Sequence, residues 1–416
     1  MSVSRTFFIL LLLASSTITA LQAQEETPPD LAPGKALLNI GSSDAGLSIG
    51  NSPRWNGLRL SFRDRAVEQI NGVNLTFWRP PTGTMETATI RGVMIGLLGP
   101  EAGELYGISA GLGVVAHRET AGIQLGGLAM VSGGPAYGVN VGGLGLVVDG
   151  RAAGVNLGGL GMVASGGADG INVGGLGAVA EGGMRGVNLG GLGMVAEGGL
   201  WGINAAGLAA VAESGVTGVT AAGLAIVAEG GVTGVSAAGL GIIGEDGVTG
   251  ITAAGLGIVG GGGITGVSAA GLGIVGEGGV TGVTAAGLGI VGEGGVTGIS
   301  MAGLGIVGQG GITGIGVAGI GLVTDERLAG VGLAGGHIRA AQVRGISTAA
   351  WVRASEDLQG LSIAGYNDIR GVQRGLAIGL YNSADVLRGA QIGLLNRAKN
   401  NKPPFRYLPV FNVHIE

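Results

Sequence analysis

Over residues 218–310 one pattern of apolar and polar positions recurs every sixteen residues: GVTAAGLAIVAEGGVT, GVSAAGLGIIGEDGVT, GITAAGLGIVGGGGIT and onward. A short fixed period marks a repeat architecture, in which each unit packs only on its neighbours. Positions are numbered here from the leading glycine. In the unit that starts at Gly154, Val155 and Leu157 alternate with Asn156, the period-two signature of a strand. The phase changes across Gly158 and Gly159, and Leu160, Met162 and Val163 form a second run. Two strands of roughly four to six residues, joined at glycine corners, account for one unit. Helix fits poorly, because several glycines per unit would each cost about 1 kcal/mol against alanine.

The marker glycine keeps this spacing from Gly122 through Gly138, Gly154 and onward to Gly330. Before it, Gly57, Gly72, Gly92 and Gly107 mark units of fifteen with a five-residue insertion around Pro80-Pro81-Thr82-Gly83-Thr84. After it, Gly345, Gly360, Gly375 and Gly389 mark units of fifteen, fifteen and fourteen. The expected fold is all-β, a thin glycine-rich solenoid of about twenty-two coils, with a hairpin meander or outer-membrane β-barrel as the alternative. Glycine is as costly in strands as in helices, so its abundance points to left-handed corners and to a close approach of two sheets. The exchange of Leu-Gly-Gly in early units for Ala237-Ala238-Gly239 in later ones fits a thin core. Trp55, Phe62, Phe77 and Trp78 before the array, and Trp351, Phe405, Tyr407 and Phe411 after it, are expected to cap the stack.

Composition narrows the class. Glycine is 95 of 416 residues and charged residues are 12%, unlike an ordinary globular domain. The 46% hydrophobic content argues equally against disorder. A net charge of -5 with no basic block gives no footprint for nucleic acid. Without cysteine there is no disulfide, thiolate metal site, cysteine nucleophile or N-terminal lipid anchor. Arg5, the apolar run from Phe7 to Ala14 and the small residues leading to Ala23 read as a secretory signal peptide over residues 1–23. The remaining chain divides into a flexible leader (24–45), irregular N-terminal repeats and cap (46–121), the regular array (122–344) and C-terminal repeats with a cap (345–416). Residues 247–276 hold no charge and mimic a membrane helix, but sister units carry a glutamate in that register.

Three rows of side chains carry the candidate chemistry. Position three is Asn140, Asn156, Asn172, Asn188 and Asn204, then Thr220, Ser236, Thr252, Ser268, Thr284 and Ser300. Stacked about 4.8 Å apart, these make a hydrogen-bonded ladder. With the threonines of position sixteen, such as Thr217 and Thr233, they offer an ice-binding face only if both rows point the same way. An odd separation puts them on opposite faces of a regular strand. Position twelve is an acidic row, Asp149, Glu181, Glu197, Glu213, Glu229, Glu245, Glu277, Glu293 and Asp325. Neighbouring carboxylates near 5 Å repel by about 1 kcal/mol in water, relieved by splaying, by proton uptake or by a bridging cation. A cation row would use Glu181, Glu197, Glu213, Glu229, Glu245, Glu277 and Glu293, although one acid per coil falls short of the oxygen ligands calcium takes. Repeated GxGxxG strings such as residues 239–244 lack room for the helix a dinucleotide site needs. His117, His337 and His414 are scattered, so no catalytic residue and no cofactor is expected.

The segments GLSIAGYN from Gly360, GLAIGLYN from Gly375 and GAQIGLLN from Gly389 resemble the bacterial surface-repeat-containing protein family, as do GVNLTFWRP from Gly72 and LPVFN from Leu408. The resemblance implies an exported protein, often a lipoprotein in its relatives, with no characterised activity. Here the missing cysteine departs from the family. The expected function is a structural or surface-interaction protein of the bacterial envelope, in the periplasm, outer membrane or cell surface, with envelope proteins or glycans as partners. A membrane-integrated β protein is the alternative, and an ice- or cation-binding face a weaker one.

Overall fold

The computed structural model describes residues 36–414; the expected signal peptide lies outside them. Every element among the described residues is a β-strand. Contacts divide the chain into two compact units, one through Leu125 and one from Gly126.

In the second unit each sixteen-residue coil contributes a seven-residue strand, such as Val248–Ala254, and a four-residue strand, such as Gly257–Gly260. Long strands pair with long strands and short with short, always parallel and always shifted by one coil. Thus Gly250 pairs with Gly266, and Ile258 with Ile274. This is a β-solenoid. A hairpin meander or a barrel built from one would pair neighbours antiparallel, so both are overturned. Residues 247–276, the charge-free stretch that mimics a membrane helix, are four strands of two coils.

The pattern of burial repeats with the sequence. Positions three, five, nine, eleven and fifteen face inward, as Thr220, Ala222, Ile226, Ala228 and Val232 do. Positions two, four and seven face outward, as Val219, Ala221 and Leu224 do. The alternation of the long strand is therefore inside out: its polar member is buried and its aliphatic members meet solvent. The cause lies at the marker glycine. Val248 is inside and Thr249 outside, Gly250 follows at φ +120°, and Ile251 is outside again before Thr252 turns in. A left-handed residue shifts the side-chain phase by one, which an L-side chain resists. Space forbids a side chain there too, since a Cβ on Gly250 would sit 2.1 Å from the carbonyl oxygen of Gly234.

Close approach across a coil also occurs, in the early coils. A Cβ on Gly158 would fall 2.0 Å from the Gly161 carbonyl of the same coil. Later coils carry a buried alanine at this position, Ala222 for example, and from Gly244 onward the glycine has moved to position eleven. The exchange of Leu189 for Ala205 at position four falls on the outer face instead. It does not thin the core, contrary to the sequence-based expectation.

The unit through Leu125 stacks its marker glycines in the same way, Gly46 on Gly57, Gly72, Gly92 and Gly107. The insertion at Pro80 to Thr84 lies between the strands Gln69–Trp78 and Thr89–Gly96 and leaves the register intact. Here position three holds Arg59, fully buried beside Asp64 at 2.5 Å, with Asn74 and Asn51 accepting further hydrogen bonds at 2.7 and 2.9 Å. Removing one member would strand a buried charge, at a cost of about 3–5 kcal/mol.

Each unit ends on a reversed strand. Ala36–Gly41, within the stretch read as leader, pairs antiparallel with Ala45–Gly50, and Tyr407–Val413 pairs antiparallel with Ala390–Ala398. Of the aromatic residues expected to cover the core, only Trp55 is buried. Phe62 is 69% exposed, and Phe77, Trp78, Trp351, Phe405, Tyr407 and Phe411 also face solvent. The polar atoms of a core edge are met by a backbone ladder, which a ring cannot supply.

Candidate functional site: an alanine-floored groove

Outward positions of the second unit assemble into straight rows because every coil is in register with the next. Position two gives Val or Ile, and position seven gives a leucine row from Leu144 to Leu304, 43–52% exposed. Between them in sequence, position four changes along the chain. It is Leu157, Val173 and Leu189 early, alanine from Ala205 to Ala285, then Met301, Val317 and Leu333. Six successive alanines remove the side chains that would fill the outer surface.

The result is a groove of about 1170 Å³ running along the coils. Its floor is the alanines of positions four and five and the glycines of position six, and the lining runs from Gly190 and Gly191 to Met301 and Val317. Six rungs at about 4.8 Å give a length near 24 Å. The glycines keep the floor low, since a Cβ on Gly255 would lie 1.9 Å from the Gly239 carbonyl.

The electrostatics of this stretch are one-sided. From Gly186 to Val323 the chain holds no lysine or arginine, and its only charges are Glu197, Glu213, Glu229, Glu245, Asp246, Glu277 and Glu293. All of them sit at positions twelve and thirteen, on exposed turns at the far end of the short strand. Five residues of extended chain separate them from the leucine row, about 16 Å. The groove and the aliphatic rows beside it are free of charge.

The sequence-derived candidates fall elsewhere. The position-three row is buried and forms the expected ladder. Each Asn side-chain amide donates to the next carbonyl oxygen, from Asn140 through Asn204, at 2.7–2.9 Å, and Asn204 donates to Thr220 at 3.1 Å. Beyond it the buried Ser236 hydroxyl has no partner, and then Thr252 pairs with Ser268 and Thr284 with Ser300, both at 2.9 Å. Since Thr217 faces outward and Thr220 inward, the double hydroxyl face needed for ice does not form. The glutamates of the acidic row are exposed, and among the described residues no group of three or more His, Asp or Glu could hold a metal ion. The GxGxxG string at Gly239 to Gly244 is a turn and a short strand with no helix after it.

Other polar features involve residues that do not line the groove. His117 Nε2 is 2.9 Å from Glu101, and His414 meets Asn400 and Asn401. The asparagines that close the C-terminal segments form a second buried ladder, Asn367 to Asn382 to Asn396, at 2.7 and 2.8 Å. Beside it Trp351, Tyr366 and Tyr381 stack in a row, with ring centroids 6.0 and 5.2 Å apart. Burial pushes the Tyr366 hydroxyl above its ordinary pKa, helped by the Asp368 carboxylate and Tyr381. The groove was missed in the sequence, although its signal is there: a run of alanine at one position, flanked by larger residues at the same position. No family model, curated protein or solved structure matches the chain.

Proposed function

We propose that this chain is an exported, non-catalytic interaction scaffold of the bacterial envelope that works through its charge-free aliphatic face. The observation that carries the reading is the segregation of residues 186–323, where every charge lies on one edge and the outward positions two, four and seven are Val, Ile, Ala, Leu or Met. Monomers seldom leave more than about 300–600 Å² of contiguous apolar surface in water, and larger patches are docking surfaces. A stack of identical rungs presents a rigid face, so binding costs little ordering entropy. The signal-like N-terminus and the resemblance to surface-repeat proteins supply the address.

Fractionation of cells that make the full chain tests this. The wild type is expected with the envelope, and the V235T/I251T/V267T variant, which keeps β-branched side chains, is expected to be exported but released in soluble form. Retention of the wild type in the cytosol, or equal solubility of both, would overturn the reading. Extraction by detergent alone, unaffected by the threonines, would favour the membrane-integrated alternative.

A further inference from the structure

Resting on the reading of this face as an interaction surface, we infer that the alanine groove is occupied by a second copy of this chain. Two copies pack face to face and antiparallel about a two-fold axis at mid-groove, each seating its leucine row in the other's groove.

Area is the first support. Along the six groove coils the position-two row is Ile203, Val219, Val235, Ile251, Val267 and Val283, and the position-seven row runs from Leu208 to Leu288. These twelve side chains are each between 43% and 57% exposed. At on the order of 80 Å² apiece they leave roughly 1,000 Å² in water, more than the ~800 Å² that each partner gives to a standard stable interface.

Shape is the second. A two-fold contact must be self-complementary, with one patch serving both as ridge and as recess. Here the same six coils carry six alanines in the recess and six leucines in the ridge. The two features also share one period. Side chains can intercalate rung by rung only into a surface with the same ~4.8 Å repeat, which a second copy has by construction. Leu189 and Met301, at position four beyond each end, fill the recess and limit sliding.

Charge is the third. The carboxylate row is at the opposite end of the short strand, so pairing the groove edges leaves all the glutamates in water. A surface rich in anionic lipid has no such match, because this stretch has no cation to meet it.

Sedimentation equilibrium on the full chain without detergent decides the matter. The wild type is expected at twice its monomer mass at micromolar concentration, with little dependence on salt. The A221L/A237L/A253L variant fills the recess with a side chain that Leu157 and Leu189 already carry in that register. It is expected to keep the wild-type circular dichroism and melting while weakening association by roughly a hundredfold or more. T233L/T249L/T265L, on the outward row beyond the marker glycine, is expected to remain dimeric. A wild type that stays monomeric, or a dimer indifferent to the three leucines, overturns the inference. A monomer that instead co-sediments with phosphatidylethanolamine vesicles overturns it in favour of lipid while leaving the envelope reading intact. A groove-dependent dimer that the cell retains in its cytosol does the reverse.

Discussion

The coils that begin at Gly154, Gly170 and Gly186 hold asparagine inside and Leu157, Val173 and Leu189 outside at position four. Those that begin at Gly234, Gly250 and Gly266 hold serine or threonine inside and alanine outside. Both kinds share one backbone and one register. In the first, an unbroken chain of amide hydrogen bonds fixes the interior, the outer surface is filled, and a glycine at position five lets the two strands touch. In the second, the amide chain is gone, Thr252 pairs with Ser268 while the buried Ser236 hydroxyl has no partner, isoleucine fills position nine, glycine moves to position eleven and the outer surface opens into the groove. Interior stability and exterior shape are thus set by different positions of the same sixteen, so the outer face can be changed coil by coil.

The marker glycine is common to both kinds of coil, and substituting it should have the largest effect. G154A and G250A each force a methyl to about 2.1 Å from a carbonyl oxygen at φ near +120°. Each should cost at least about 3 kcal/mol, equally in the two regions, read as lost hydrogen-exchange protection in the affected and adjacent coils. A cost confined to one region would break the claim of a shared backbone.

Asparagine and threonine should then separate. N172A leaves the Asn188 acceptor buried without a partner and the Asn156 amide with only the long bond to the Asp169 carbonyl, so it should cost about 2–4 kcal/mol. T252V conserves volume and branching and strands a single hydroxyl, that of Ser268, so about 1–1.5 kcal/mol is expected. Urea unfolding followed by exchange at each coil would show the contrast, and equal costs would deny the ladder its role. A237L, outside the core, should shift stability by no more than about 0.5 kcal/mol, whereas an inward position four would make it strongly destabilising. The smallest effect belongs to the acidic edge. E197Q/E213Q relieves like-charge neighbours and should raise the melting temperature slightly, more at low salt than at high. Millimolar calcium should change neither protein; a rise in the wild type alone would restore the cation row.

Period, strand content and the position-three ladder could all be read from the sequence, because each depends on spacing and recurs with every coil. The phase could not. Val155, Asn156 and Leu157 look like an ordinary strand with its aliphatics buried, and only the φ of Gly154 shows that the asparagine is the inner residue. With the phase unknown, the change from Leu189 to Ala205 looked like a thinner core, when it opens a groove on the outside. The aromatic residues misled for a related reason. Size suggested covers for the ends, yet the ends need backbone hydrogen bonds, and the reversed strands Ala36–Gly41 and Tyr407–Val413 supply them. The C-terminal asparagines, by contrast, recur in GLSIAGYN and GLAIGLYN at a fixed register where their buried amides stack.

The chain has no cysteine, so single substitutions report side-chain direction without background. The most direct test is the rate of thiol labelling in S236C against T233C, three residues apart across the marker glycine. With Ser236 in the core and Thr233 on the surface, T233C should react like a free thiol and S236C only on unfolding. Rapid labelling of S236C in the native protein would place the position-three row outside and contradict the inside-out coil on which the groove depends.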